Sequence, residues 1–207
     1  LKKSIFFLAL LIGVKLTAQI PLSGEYYFRR QEIVAGFNFS ADGKSQFFYS
    51  YGAADRNATG TFSVRGDSVQ LKSDKEAGKD FTIEIQSKQP KGYKIVFSNP
   101  NQFLTKDILC IFFVDGQSQQ SYSDDKGEVY VDLPQCDTIY AQHPLFPDIL
   151  TLIKDKNNSN NSFVLTLNPS LGQVSFKGTG LKIESDKKLT CLPNYFMNMP
   201  GIEFTKQ

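Results

Sequence analysis

Aromatic residues recur at every second position through much of this chain, in runs too short for helices and cut by glycine turns. Phe37 and Phe39 alternate with Asn38 and Ser40, Asp42-Gly43 follows, and Phe47, Tyr49 and Tyr51 then alternate with Phe48 and Ser50. Successive side chains of a strand point to opposite faces, so this period marks one buried face. An Asp-Gly step supplies the positive φ angles of a tight hairpin. A second hairpin follows, with Phe62 and Val64 on one face, a turn at Gly66-Asp67, and Val69 and Leu71 returning. Phe81, Ile83 and Ile85, then Tyr93, Ile95 and Phe97, read as two further strands. With 18 Phe, 9 Tyr and no Trp, the core is aromatic.

Ser98-Asn99-Pro100-Asn101 breaks the pattern and is read as a boundary. Beyond it, Ile108 to Val114 is apolar on both faces, as in a central strand covered on two sides. Val129 and Val131, Ile139 and Ala141, and Phe163, Leu165 and Leu167 continue the strand pattern. Pro134, Pro144, Pro147, Pro169, Pro193 and Pro200 make a long helix in this half improbable, because proline lacks the backbone donor and clashes with the preceding turn. The expected fold is all-β: an antiparallel meander or half-barrel over 20–98, then a small β-sandwich over 102–207, as separate folding units.

The start of the chain has a different grammar. Lys2 and Lys3 precede an apolar run from Ile5 to Val14, and Thr17-Ala18-Gln19 offers a small residue before a polar one. This is the pattern of a secretory signal peptide covering 1–18. The run falls short of the roughly 20 residues that span a bilayer, and no later stretch matches its apolar length, so no membrane span is expected after cleavage. No Cys stands at the cleavage point to take a lipid. The expected product is periplasmic or extracellular, and not a lipoprotein.

Removing Lys2, Lys3 and Lys15 with the leader takes the formal charge from +2 to −1. A near-neutral chain lacks the basic footprint of a nucleic-acid binder. Cys110, Cys136 and Cys191 have no zinc-ligand spacing, and the single His cannot complete a site, so no metal or cofactor is expected. An oxidising compartment permits one disulfide. Cys136 and Cys191 lie near turns or strand ends, where Cβ atoms approach without distorting a ladder, and are the expected pair. Cys110 is left as a buried thiol.

The stretch Gly60-Thr61-Phe62-Ser63-Val64-Arg65-Gly66-Asp67-Ser68-Val69-Gln70-Leu71 resembles the strand-turn-strand of lipocalin-like secreted bacterial domains. Val114 through Phe146, centred on Ser123-Asp124-Asp125-Lys126-Gly127-Glu128-Val129-Tyr130-Val131, is similar to the carboxypeptidase-regulatory-like, transthyretin-type sandwich. The first resemblance implies a carrier of a small apolar ligand. The second, with the match extended over about 108–167, implies a non-catalytic module.

Two places carry candidate binding chemistry. Tyr49 and Tyr51 share a face beside Asp55 and Arg56, so rings could stack on a ligand while Arg56 clamps an anion. His143 could act as a base oriented by Asp148, but no positioned nucleophile accompanies it, and a structural histidine is preferred. No catalytic set assembles, and the chain is not expected to be an enzyme. It reads as a binding or adaptor module whose partner is a protein, a polysaccharide or a small apolar ligand.

Overall fold

The structure is a computed structural model that describes residues 22–52, 54–197 and 199–207. The expected leader, 1–18, lies outside the described residues. β1 (Gly24–Arg30), β2 (Ile33–Phe39), β3 (Lys44–Tyr51), β4 (Ala54–Arg65) and β5 (Ser68–Ser73) form an antiparallel meander. The chain then makes β6 (Phe81–Ser87), β7 (Tyr93–Ser98), a short 3-10 helix (Gln102–Thr105), β8 (Leu109–Val114), β9 (Gln117–Tyr122), β10 (Glu128–Val131), β11 (Thr138–Gln142), β12 (Thr151–Lys154) and β13 (Ser162–Leu167). It returns as β14 (Lys177–Ser185), β15 (Lys188–Cys191) and β16 (Glu203–Lys206).

The fold is all-β. β14 pairs with β5, and β16 pairs with β1, closing an antiparallel barrel in the order β1-β16-β15-β14-β5-β4-β3-β2. Closure removes the exposed edges that would otherwise template pairing with another chain. The alternation in the sequence maps onto it directly: Phe37, Phe39, Phe47, Val69 and Leu71 point inward and are buried. Gly43 and Gly66 turn the two hairpins at φ of 82° and 62°.

The barrel interior is filled with rings. Phe37 lies 4.7 Å from Phe47, 5.0 Å from Phe204, 5.6 Å from Phe39 and 6.0 Å from Phe176, centroid to centroid. Such contacts contribute about 0.5–1.5 kcal/mol each beyond the area they bury. A void of about 10 Å3 between Phe37, Phe47, Ala58 and Phe176 is at the lower limit for one water.

The segment between β5 and β14 is a sandwich of two four-stranded sheets, β10-β7-β13-β6 and β12-β11-β8-β9. Its core holds Phe97, Ile108, Phe112, Ile139, Phe163 and Leu165. The strand pairing thus places the division elsewhere than residues 98–102. β6 and β7 belong to the sandwich, β14 to β16 belong to the barrel, and Ser98 to Asn101 merely crosses from one sandwich sheet to the other. The reason is non-local: β13 inserts parallel to β7, and β16 reaches back across the whole chain to β1. Strand β8 is central, between β11 and β9. Cys110 and Phe112 fill its buried face, whereas Leu109, Ile111 and Phe113 on the other face are only half-covered.

Candidate functional site

Barrel and sandwich meet where β5 ends. After Ser73 the chain leaves the wall, and residues 172–176 take its place beside β4. Asn57 N donates to Gly172 O at 3.4 Å, Val174 N to Asn57 O at 2.8 Å, and Ser73 N to Phe176 O at 2.9 Å. The Ser73 hydroxyl completes the seam, donating to Val174 O at 2.9 Å and accepting from Phe176 N at 2.7 Å. This exchange of strands draws both linkers and the loop after β11 into one buried place.

The charged residues collected there are Lys75 and Asp80 of the outgoing linker, Asp148 of the sandwich loop, and Arg56 of β4. Lys75 Nζ lies 2.6 Å from Asp80 Oδ1 and 2.7 Å from Asp148 Oδ2, and donates to Gln173 O at 2.7 Å. Asp148 Oδ1 accepts from Tyr195 Oη at 2.5 Å and from Ser175 Oγ at 2.8 Å, and Oδ2 accepts from Ser175 N at 3.2 Å. Burial pushes the Asp148 carboxyl up, but the bonds from Lys75, Tyr195 and Ser175 outweigh it and hold the group below the ordinary carboxylate value. Asp80 goes the other way, because burial exceeds what Lys75 offsets. Burial and the bond to Asp148 also push the Tyr195 phenol far up, keeping it a donor. Of this set the sequence had marked Arg56, as an anion clamp, and Asp148, as a partner for His143, but not Lys75, Asp80 or Tyr195. Lys75 and Asp80 sit among Lys72, Asp74, Glu76 and Lys79, where nothing local distinguishes a buried charge from a solvated one.

Arg56 is buried, and all its bonds go to backbone carbonyls: Nε to Gly172 O at 3.1 Å, Nη1 to Pro147 O at 2.9 Å and Nη2 to Gln173 O at 2.9 Å. Its guanidinium lies 5.8 Å from the Phe146 ring and 5.3 Å from the Phe196 ring. Tyr49 is paired with Arg56 across β3 and β4 and packs on Phe196 at 5.0 Å. The structure therefore brings Tyr49 and Arg56 together, but as packing at the barrel mouth, with each guanidinium nitrogen bonded to a backbone carbonyl. Tyr51 lies at the exposed end of β3, and Asp55, one residue from Arg56, faces outward by the parity of the strand.

His143 joins the same chain of rings through Phe146 at 5.2 Å, and does not touch Asp148 through any hydrogen bond described. Its Nδ1 accepts from Leu145 N at 3.2 Å, so Nε2, 2.9 Å from Leu104 O, carries the proton and donates. Burial, reinforced by the nearby Arg56 charge, lowers the imidazole from its ordinary 6.5. A group held neutral in this way contributes stability that is present above the ordinary value and lost as pH falls through the folded value. His143→Gln is expected to flatten the denaturant midpoint between about pH 5 and about pH 8. Identical pH slopes in the two proteins would dismiss this role.

The three thiols are free and buried, Cys110 and Cys136 in the sandwich core and Cys191 in the barrel core. The expected Cys136–Cys191 bridge is thus not formed: the two residues belong to different cores, a separation hidden by their similar positions near turns. Burial raises all three thiols, Cys191 to about 11. Among the acidic residues of the second resemblance, Asp124 Oδ1 caps its own turn, accepting from Lys126 N at 2.9 Å and Glu128 N at 2.8 Å.

A second candidate surface lies on the outer wall of the barrel. Tyr27, Gly36, Phe48 and Asn57 stand in register across β1 to β4. The Tyr27 and Phe48 rings are 5.9 Å apart, and Phe48 lies over Gly36, where any Cβ would collide with it. An open groove of about 330 Å3 runs past these rings and is lined by Glu25, Asn38, Gln46 and Thr59 as well. On the other side of β4, a groove of about 690 Å3 is lined by Thr61, Ser63, Gln70, Lys72 and Lys177. Comparison of the chain with protein-family models, curated proteins and solved structures found no match.

Proposed function

We propose that this chain is a non-enzymatic, exported envelope protein whose barrel wall binds a cell-surface polysaccharide. The observation that carries the reading is the outer face of β1 to β4, where Tyr27 and Phe48 offer ring faces beside amide, hydroxyl and carboxylate groups. Rings stack on the apolar faces of sugars, and short polar side chains exchange hydrogen bonds with their hydroxyls. The grooves on either side of β4 together give a track suited to a linear polymer. The leader-like start of the sequence supports export to the periplasm or beyond.

The closed eight-stranded wall is lipocalin-like in architecture, but a carrier would need space around Phe47, Tyr49, Phe62 and Val69. Those residues instead belong to the filled core or pack against it, which favours the binding-module reading. The sandwich then serves as a spacer or attachment, in keeping with its resemblance to non-catalytic modules. Calorimetric titration of the protein with envelope polysaccharides tests this. Binding should weaken by about tenfold or more when Tyr27 and Phe48 are both changed to Ala, as expected for two stacking rings. Equal affinity in the double variant, or no binding to any envelope polysaccharide, would sink the reading.

A further inference from the structure

Lys75 meets two carboxyls, and the side chains of Lys75, Asp80 and Asp148 are 1%, 2% and 0% exposed. Desolvating three charged groups is costly, and a buried ion pair by itself is weak support for a fold. The two Asp148 oxygens differ in the kind of donor they meet. Oδ2 faces the Lys75 amine at 2.7 Å and accepts from Ser175 N at 3.2 Å, while Oδ1 takes two hydroxyl donors, Tyr195 at 2.5 Å and Ser175 at 2.8 Å. Two donors aimed at the oxygen opposite an amine are the arrangement of an oxyanion hole. Gln173 O orients the amine from a third side at 2.7 Å. Asp80 Oδ1 is buried without a hydrogen-bond donor in good geometry and has only its 2.6 Å contact with the same nitrogen.

We propose that Lys75 and Asp148 join in an intramolecular isopeptide bond, with Asp80 as the proton carrier. One proton of the Lys75 ammonium passes to Asp148 Oδ2 along their contact, and the freed amine attacks the Asp148 carboxyl carbon. Negative charge collects on Oδ1, where the Tyr195 and Ser175 hydroxyls hold it. Asp80 takes the second proton from the nitrogen and returns it to the Oδ2 hydroxyl. The C–O bond breaks, water leaves, and the C–N bond remains. The ammonium has lost two protons and the carboxylate one oxygen, so no oxidant, cofactor or external base is required. Holding the reacting atoms in contact removes the entropic barrier that keeps amines and carboxylates apart in water. The upward shift of Asp80 suits a group that must take up and release a proton.

The bond would staple the outgoing linker to the sandwich loop and close a covalent ring around most of the sandwich. The three cysteines are free, so this amide would be a cross-link where the chain has no disulfide. Intact-mass spectrometry of the denatured full chain tests it. The wild-type protein should be lighter than its sequence by one water, and its digest should contain a branched peptide joining Lys75 to Asp148. Lys75→Arg and Asp80→Ala should keep their full masses, and Asp148→Asn should lose ammonia in place of water. A wild-type chain at full mass after prolonged incubation in the folded state overturns the proposal, as does a branch joining Lys75 to Asp80. The wild-type measurement decides even where a variant fails to fold.

Discussion

Asp148→Ala should lower the free energy of unfolding by about 3–5 kcal/mol relative to the unlinked chain, the usual cost of removing one partner from a buried charge cluster. Lys75 would keep Asp80, but the cluster would then hold two cations, Lys75 and Arg56, against one carboxylate. Ser175 N and Oγ would lose the acceptor they now share. Because Asp148 belongs to the sandwich loop and its partners to the linkers and the segment between β15 and β16, the loss falls on the joint. Limited proteolysis should therefore open residues 74–80 and 168–176 in the variant before either core unfolds. Combining Asp148→Ala with Lys75→Met should not recover the loss, because Asp80 would then stay buried without the lysine that contacts it. Both variants lack any Lys75–Asp148 amide, so the comparison reads charge alone. A loss under about 1 kcal/mol would show that the cluster does not hold the joint.

In the unlinked chain the two carboxyls give the joint opposite pH responses. Asp148, held below its ordinary 3.8, contributes stability above that value, which is lost as pH falls through its folded value. Asp80, raised, contributes a term that is full below 3.8 and lost as pH rises through its folded value. The joint is therefore a compromise, with a carboxyl that favours the neutral form set beside one that favours the charge.

Much of the barrel was legible because its strands are local. Phe37, Phe39, Phe47, Val69 and Leu71 alternate within runs joined by Asp42-Gly43 and Gly66-Asp67, and period and turn chemistry agree on one buried face. The closure was not legible. Phe204 in a four-residue strand carries the same signal whether it ends a sandwich or seals a barrel against β1. The parallel placement of β13 beside β7 likewise leaves no mark on either strand. At the joint, Arg56 was noticed as a charge beside tyrosines, but its partners are carbonyls of Pro147, Gly172 and Gln173, which any sequence would supply. Tyr195 and Ser175 are ordinary loop residues until the return of β14 sets them against Asp148.

Phe37→Ala should cost about 3–5 kcal/mol, near the upper end of large-to-small core changes. The rings around Phe37 come from separate elements: Phe39 from its own strand, Phe47 from β3, Phe176 from the returning segment and Phe204 from β16. Each of these strands is fixed by a neighbour on either side in a closed wall, so the wall cannot move inward to fill the gap. The midpoint of denaturant unfolding should fall with little change in slope, because the surface exposed on unfolding is almost the same. The cavity left behind is lined by rings and lacks polar partners for water, so it should stay dry and accept a small aromatic such as benzene. Benzene should then raise the melting temperature of the variant by mass action and leave the wild type unchanged. If benzene stabilises both proteins alike and the substitution costs less than about 1 kcal/mol, the interior is already hollow and the carrier reading replaces the one proposed here.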